Sequence, residues 1–309
     1  IGGNLRIGHS ENFVTEACEY TNSFLSFFPT IAVVLNVSED HLDFFKDIND
    51  IRHSFREFLK LVPDHGLVIL NEDIPEPEYF TEGLDCKVIT IGKAGGKSNI
   101  SAGNITTDDK ARCSYDLIIN GEKKGHISLR VTGEHNVYNS LAAIGAALEL
   151  GVSVEAAAAG LKSYGGTERR FEYKGEFNGV TVIDDYAHHP DEIKATLDTA
   201  ANYPHRDIWV VFQPHTYSRT KAFLKEFGES LSKADHVILA EIYAAREKDT
   251  LGISSRDVAE CVARYGTDVH YISTFGEIEN FLKNNCTQGD LLITMGAGDV
   301  VNIGNDLLK

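Results

Sequence analysis

The chain has 309 residues with 46 acidic and 29 basic side chains, which gives a formal net charge of −17. A field of this sign repels nucleic acid and anionic membranes, so we expect neither as a partner. Apolar residues make up 42% of the chain, yet no apolar run approaches the roughly 18 residues that a membrane helix needs. These features predict a soluble globular protein.

Cysteine and methionine usage bears on the compartment and on the extent of the polypeptide. Five cysteines are scattered along the chain without C-x-x-C spacing, at positions 18, 86, 113, 261 and 286. An odd and dispersed set predicts reduced thiols in the cytoplasm, and neither a disulfide framework nor a zinc site. Met295 is the single methionine, so Ile1 is not an initiator residue and we expect a piece of a longer protein.

Apolar runs alternate with helical patterns along the first half, which predicts an α/β fold. The expected strands are 30–35, 66–70 and 86–91, and the expected helices are 136–149 and 154–163. The β-branched run 30–35 is typical of a strand buried on both faces. Between these elements, residues 111–131 predict a hairpin turning at Asn120-Gly121, because both positions tolerate a positive φ.

The pattern restarts around Gly165-Gly166 with a second expected hairpin at Asn178-Gly179. Strands are then expected at 180–184, 207–212, 236–240, 268–272 and 290–294, alternating with helices at 190–202, 219–233, 254–265, 275–285 and 299–308. Repeated strand–helix units predict a doubly wound, Rossmann-like parallel sheet. We therefore expect two domains, 1–167 and 168–309.

Polar clusters follow three of the expected strands, at 36–41 (NVSEDH), 184–190 (DDYAHHP) and 213–219 (QPHTYSR). Ligands of parallel sheets collect at the carboxyl ends of strands. One aspartate at a strand end is more often a helix cap, but three clusters rich in His, Arg and carboxylates indicate a site.

The first cluster has metal-binding character. Glu39, Asp40 and His41 offer hard oxygen ligands and an imidazole, which suit Mg²⁺ or Mn²⁺ beside a phosphate. Glu16 and Glu19 add carboxylates earlier in the chain.

Two glycine-rich stretches fail as nucleotide-binding motifs. Residues 296–298 (GAG) follow the last strand, and Val301 stands where a dinucleotide fingerprint needs its third glycine. We expect a close backbone approach there, to a ligand or a helix N-terminus. Residues 95–98 (GGKS) have Ile91 where a Walker loop needs glycine, and no apolar helix follows, so they predict a surface turn.

Six stretches together carry a resemblance to a known family. They are 16–25 (EACEYTNSFL), 36–43 (NVSEDHLD), 133–139 (GEHNVYN), 166–171 (GTERRF), 184–190 (DDYAHHP) and 212–220 (FQPHTYSRT). In this order they resemble the Mur ligase family from end to end, in particular the members that join L-alanine to UDP-N-acetylmuramate. Cys18 departs from the aspartate often found there, which puts a metal role for that position in doubt. Family members also carry an N-terminal UDP-sugar domain and a P-loop, neither of which this sequence matches.

The resemblance implies an ATP-dependent ligation in cytoplasmic peptidoglycan synthesis. The lactyl carboxylate of the sugar attacks the γ-phosphorus of ATP, and the alanine amine then displaces phosphate from the acyl phosphate. Crowding a carboxylate against a triphosphate is unfavourable, so divalent cations are expected. The implied residues are Glu16 and His41 for Mg²⁺, Asn136 and Asn139 for adenine, Arg170 for phosphates, Asp185 for ribose, Tyr186 beside them, and His188, His215 and Arg219 as catalytic residues around the amino acid.

Some of these roles also have a physical argument. Asn136 and Asn139, at i and i+3, lie on one helix face. Arg219 at a helix N-terminus needs an anionic partner, for which the alanine carboxylate is our candidate. It lies beside His188 and His189 if strands 180–184 and 207–212 are neighbours. His189 either joins this site or merely caps helix 190–202.

Other functions stay open. A related ligase attaches a murein tripeptide to the same UDP-sugar, but residues 213–219 favour the alanine-adding type. The folate polyglutamate ligase fits 184–190 but not 213–219. A non-catalytic nucleotide-binding module is the third alternative, and without a P-loop we expect the isolated chain to be inactive.

Overall fold

The computed structural model describes residues 5–42 and 44–309. Residues 1–4 and Asp43, the last residue of the 36–43 stretch, lie outside the described part. Two six-stranded sheets follow one another along the chain, each covered by helices. This arrangement confirms the predicted α/β class. Among the described helices, none is long and apolar enough to cross a membrane.

The first sheet runs in chain order. Its strands are β1 (Ile31–Val34), β2 (Leu67–Asn71), β3 (Lys87–Lys93), β4 (Ile100–Thr107), β5 (Arg112–Ile119) and β6 (Glu122–Thr132). β1 to β4 pair in parallel, and β5 and β6 extend the sheet antiparallel. The helices of this half are a 3₁₀ helix (Tyr20–Ser26), α1 (Ile48–Leu59), α2 (Glu78–Thr81), α3 (His135–Glu149) and α4 (Val154–Ser163).

The expectation that the first strand is buried on both faces is wrong. Ala32 and Val34 pack against Phe24 and Phe58 on one face, but Val33 on the other face is 40% exposed. The cause lies in the position of α3, which packs on β2 to β6, whereas β1 is the edge strand in the described part of the sheet.

The second sheet is the doubly wound one. Its elements are β7 (Glu172–Phe177), β8 (Val180–Asp185), α5 (Pro190–Ala200), β9 (Ile208–Phe212), α6 (Tyr217–Ala222), α7 (Leu224–Leu231), β10 (His236–Leu239), α8 (Ser255–Ala263), β11 (Asp268–Tyr271), α9 (Phe275–Asn285), β12 (Leu291–Met295) and α10 (Val301–Leu307). The strand order is β11-β10-β9-β12-β8-β7, with only β7 antiparallel among these six. Apolar clusters fill both faces of the sheet.

Both predicted hairpins are confirmed. Asn120 and Gly121 join β5 to β6 with φ values of 50° and 82°, and Asn178 and Gly179 join β7 to β8 with φ values of 50° and 79°. Residues 95–98 form a turn between β3 and β4, so a strand and not a helix follows them, as expected for a surface turn.

One expectation for the second half is wrong, and one condition stated for it is not met. The helix over 219–233 is interrupted at Phe223, whose φ of −110° and ψ of 25° separate α6 from α7 while its ring is buried. β8 and β9 are not neighbours, because β12 lies between them. Their following segments nevertheless reach the same edge of the sheet, since all three strands are parallel. The segment 164–171, in which the predicted domain boundary falls, connects the two sheets.

Candidate active site

His189 is the N-cap of α5. Its Nδ1 accepts a hydrogen bond from the backbone N–H of Asp191 at 3.2 Å, and Glu192 accepts one from the backbone N–H of His189 at 3.2 Å. The capping interpretation of His189 is therefore confirmed. Its Nε2 donates to the backbone oxygen of Glu39 at 2.8 Å, so the cap also contacts the segment after β1.

Arg219 makes a second connection to that segment. Its Nη2 donates to Asp40 Oδ1 at 2.8 Å, and its side chain is only 10% exposed. We expected an anionic partner for Arg219, and the partner within the chain is Asp40. Burial raises the pKa of Asp40, but the charge and hydrogen bond of Arg219 outweigh that effect and hold it below its ordinary value.

Two imidazoles lie next to this pair. Arg219 Nη1 donates to His215 Nδ1 at 3.2 Å, and the ring centroids of His188 and His215 are 5.6 Å apart. The ring of Tyr243 stacks on His215 with an interplanar angle of 19°. Burial, with the nearby charges of His188 and Arg219, lowers the pKa of His215 to about 4. His215 is therefore neutral at neutral pH and accepts the hydrogen bond of Arg219.

The candidate metal ligands lie on the other side of Asp40. His41 has a φ of 53°, and its Nε2 lies 3.6 Å from Glu19 Oε1 and 3.8 Å from Asp40 Oδ2. A non-glycine residue in this backbone region is uncommon and is often found at functional sites. Glu16 is exposed, and its carboxylate forms no ion pair with a described residue. The structure thus brings His41 to Glu19 and Asp40.

Nowhere in residues 5–42 and 44–309 do three or more His, Cys, Asp or Glu side chains meet in an arrangement that could hold a metal alone. Mg²⁺ does not need such a cage, because it usually binds one or two carboxylates and takes its other ligands from phosphates and water. The donors around His41 include the carboxylates of Glu19 and Asp40. Their chemistry fits Mg²⁺ shared with a nucleotide.

The candidate adenine ligands lie at the start of α3. Asn139 Nδ2 donates to Asn136 Oδ1 at 3.0 Å, which confirms that the two amides share one helix face. Asn136 Nδ2 in turn donates to the backbone oxygen of Thr132 at 2.7 Å. The preceding Gly133 has a φ of 89°, and a Cβ there would lie 2.6 Å from Thr199 Oγ1 of α5. The start of α3 therefore packs closely against the second half of the chain.

Arg170 forms an ion pair with a carboxylate of α5. Its Nη1 is 3.3 Å from Glu192 Oε1, and its side chain is 53% exposed, so the guanidinium has room for a phosphate. Burial lowers the pKa of His135, and the charge of Arg170 adds to that shift. The guanidinium carbon also lies 5.7 Å from the ring centroid of Tyr186.

Asp185 is a more constrained candidate. Its Oδ2 accepts from the backbone N–H of Phe171 and its Oδ1 from that of Ala187, both at 2.8 Å, and only 5% of the residue is exposed. Burial raises its pKa to about 6 despite these hydrogen bonds. Each carboxylate oxygen of Asp185 thus already accepts one backbone hydrogen bond, so a ribose hydroxyl could donate only to a remaining lone pair.

Arg169 is a site residue that sequence reasoning missed. Its guanidinium donates to Asp184 Oδ2 at 2.9 Å and to the backbone oxygens of Gly296 and Gly298 at 2.7 and 3.2 Å. The close approach expected at 296–298 therefore involves the protein itself: a Cβ at Gly298 would lie 2.3 Å from Gln213 Oε1. The two adjacent arginines in the stretch 166–171 were the sequence feature that could have pointed to Arg169.

The described contacts join five predicted site residues, Arg170, His188, His215, Arg219 and His41, into one continuous network between the two sheets. In order, its members are Arg170, Glu192, His188, His215, Arg219, Asp40, His41 and Glu19. Asn139, Asn136 and His135 are hydrogen-bonded to one another, and the charge of Arg170 acts on His135. Tyr186 contacts this network through Arg170 and His188, whereas Glu16 and Asp185 are not among its members. Glu192 and Tyr243 were not predicted, and no motif signal singles them out. The network places Arg170, the candidate phosphate ligand, beside the cluster of Arg219, His188 and His215.

Comparisons with known proteins identify the family. A family described as "Mur ligase middle domain" matches residues 4–147, and one described as "Mur ligase, glutamate ligase domain" matches residues 169–298. A UDP-N-acetylmuramate–L-alanine ligase of Lachnospira eligens is 61% identical over all 309 residues, which make up 67% of that protein. The chain belongs to the Mur ligase family. A UDP-N-acetylmuramate–L-alanine ligase of Agathobacter rectalis is 54% identical over 309 residues, which also make up 67% of that protein.

Solved Mur ligases have the same fold. UDP-N-acetylmuramate–alanine ligase MurC of Thermotoga maritima matches 93% of this Mur ligase chain with a TM-score of 0.74 and 23% identity. A murein peptide ligase of Psychrobacter arcticus matches with a TM-score of 0.67 and 25% identity. The chain spans 60% and 58% of these two structures. The family assignment and the fold class predicted from the sequence are both confirmed.

Proposed function

We propose that this chain supplies the amino-acid site and part of the ATP site of a ligase that joins L-alanine to UDP-N-acetylmuramate in peptidoglycan synthesis. The observation that carries the proposal is the contact between Arg219 and Asp40, since it sets the Arg–His cluster against the acidic segment after β1. A ligase that couples ATP to amide formation needs its amino-acid and phosphate sites side by side.

The nucleotide end of the site has the polar groups that ATP needs. Asn136 and Asn139 present their amides to adenine, Arg170 holds the phosphates through its exposed guanidinium, and Asp185 accepts from the ribose. Tyr186 lies beneath the guanidinia of Arg169 and Arg170 and keeps them over the site.

The amino-acid end combines a guanidinium group with neutral imidazoles. The Arg219 guanidinium offers donors for the carboxylate of L-alanine and keeps its orientation through His215 and Asp40. Neutral His188 and His215 lie around the position of the amine and the nascent bond. The amine displaces phosphate from the acyl phosphate of the sugar, so the C–N bond forms as the C–O bond breaks.

Divalent metal belongs to the acidic segment. We assign Glu16 and His41 as its ligands, with Glu19 and Asp40 close to His41. When bound, Mg²⁺ supplies the charge that lets a carboxylate approach a triphosphate. The reduced thiols and the nucleotide substrates favour the cytoplasm as the place of the reaction.

Phosphate release tests the proposal. The intact ligase, of which this chain is a part, should release phosphate from ATP when UDP-N-acetylmuramate and L-alanine are both present. A rate that needs a murein tripeptide in place of L-alanine would assign the chain to the peptide-adding type instead. The 309-residue chain alone should show no alanine-dependent release, because it has no P-loop to cradle the β- and γ-phosphates. Release above background from the chain alone would contradict that expectation.

A further inference from the structure

Glu192 lies in the network between the nucleotide and amino-acid ends of the site. Its Oε2 accepts from the backbone N–H of His188 at 3.0 Å and lies 3.2 Å from His188 Nδ1, while its Oε1 faces Arg170. Burial raises the pKa of Glu192, but His188, the backbone N–H groups and Arg170 together bring it below its ordinary value. Glu192 is therefore an ionised carboxylate that contacts both ends of the site.

The hydrogen bonds of His188 identify the tautomer of its ring. Nδ1 lies 3.0 Å from the backbone oxygen of Tyr186, and a carbonyl oxygen only accepts, so Nδ1 carries the proton. Glu192 Oε2 lies 3.2 Å from the same nitrogen, and its negative charge favours a proton there. Nε2 of His188 forms no hydrogen bond with any residue in the described ranges, so its lone pair remains available in the neutral ring.

The charges around His188 act in opposite directions. The groups that face it are Glu192 on α5, Tyr186 before it, His215 after β9, Arg219 on α6 and Asp40 after β1. Burial lowers the pKa of His188 most strongly, and the charge of Arg219 lowers it further. The carboxylate of Glu192 opposes both effects and raises that pKa more than any other neighbouring group. Glu192 thus offsets part of the decrease in the pKa of His188 that burial and Arg219 cause.

We propose, on the basis of the function proposed above, that Glu192 is a positioning residue. It holds the His188 ring so that Nε2 accepts the proton that the ammonium group of L-alanine loses before attack. The N–H bond breaks and its electron pair stays on the amine nitrogen. That nitrogen then bonds to the acyl carbon and gives up its second proton to the phosphate, which leaves with the C–O electron pair, so the product is a neutral amide. The arrangement resembles a nucleophile–base pair whose base is oriented by a third group.

A titration of the intact ligase with ¹⁵N-labelled histidine tests the positioning directly. Wild-type His188 should carry its proton on Nδ1. Glu192→Gln should lower the pKa of His188, because the opposing negative charge is lost, while a glutamine oxygen can still accept at the start of α5. Asp191→Asn is the matched control: Asp191 is the neighbouring carboxylate of the same turn and is largely exposed, 3.8 Å from His189. Equal effects of the two variants, or an Nε2 proton in the wild type, would overturn the proposal.

Kinetics of the intact ligase supply the second test. In Glu192→Gln, kcat/KM for L-alanine should fall roughly tenfold, as expected for a weakened general base, and its acid limb should move to lower pH. Glu192→Asp restores the charge and should return the acid limb towards its wild-type position. A merely structural role would lower activity without moving the limb. Absence of any alanine-dependent activity in the wild type would refute the proposed function, whereas the imidazole titration would still decide the role of Glu192.

Discussion

Arg219 and Asp40 are 179 positions apart in the chain and form a charged hydrogen bond of 2.8 Å between the two halves. The segment after β1 is therefore tied to the segment after β9, in which the Arg–His cluster lies. His189 makes a second connection between the halves, through the backbone oxygen of Glu39, the residue before Asp40. The relative placement of the two sheets thus depends on side chains that also line the proposed amino-acid site.

Arg219→Ala in the intact ligase should raise the KM for L-alanine roughly 10- to 100-fold, the loss expected for a hydrogen bond to a charged group. The KM for ATP should change far less. The matched control is Arg112→Ala, which removes an arginine from an exposed pair with Asp108. An ATP KM that rises while the alanine KM stays constant would move Arg219 into the phosphate site.

His41→Ala and Glu16→Ala should each raise the Mg²⁺ requirement of the intact ligase and slow it by about 10- to 100-fold, in line with metal-site losses. Rates measured against Mg²⁺ concentration decide the point, with exposed Glu11→Ala as the control from the same segment. Because the Glu19 carboxylate lies 3.6 Å from the His41 ring, Glu19→Ala should be tested in parallel. If a variant keeps the wild-type rate at limiting Mg²⁺, the substituted residue does not bind the metal.

Gly133→Ala should destabilise the chain more than Gly151→Ala. Both glycines have positive φ, 89° and 80°, so each alanine costs about 1–2 kcal/mol for its backbone conformation. Only at Gly133 would the new Cβ also meet His135 and Thr199, at 2.5 and 2.6 Å, whereas open space surrounds Gly151. Overpacking of this kind adds about 1–3 kcal/mol. Urea unfolding measures the difference, and equal free energies of unfolding would contradict the close packing of α3 on α5.

His215 should make the folded chain less stable in mild acid. Its pKa falls from 6.5 to about 4 on folding, so between these values the unfolded chain binds a proton that the folded chain does not. Stability therefore declines as the pH drops through that window. Asp185, whose pKa rises from 3.8 to about 6, acts in the opposite direction.

The test compares His215→Gln with His9→Gln, an exposed control. The drop in melting temperature between about pH 7 and about pH 5 should be smaller in His215→Gln than in the control. If the two variants lose the same melting temperature, protonation of His215 does not oppose folding.

Regular backbone patterns were predictable from the sequence. The Asn–Gly turns at 120–121 and 178–179 specify hairpins through their local φ requirement, and alternating strand–helix units specify the second sheet. β4 and α1 were missed. The 100–107 strand carries threonine and asparagine on its later, exposed positions, so it lacks the apolar run that marks its neighbours.

Partners across the chain were not predictable, because no local pattern encodes them. The need of Arg219 for an anion followed from helix electrostatics, but only the fold shows that Asp40 provides it. Likewise the strand order places β12 between β8 and β9, while His188 and His215 still meet beyond the strand ends. Glu192 reads as an ordinary capping residue until its contact with the His188 ring is seen.

Adjacent histidines in this protein should differ in reactivity towards electrophiles. Both ring nitrogens of His189 are engaged, one accepting from Asp191 and the other donating to Glu39, so neither offers a free lone pair. His188 uses only Nδ1, as a donor to Tyr186, and its other nitrogen stays nucleophilic. An acylating reagent small enough to enter the site should therefore label the first histidine of the pair and spare the second. The hydrogen bonds by which His189 caps α5 and contacts the segment after β1 therefore also make this histidine unreactive.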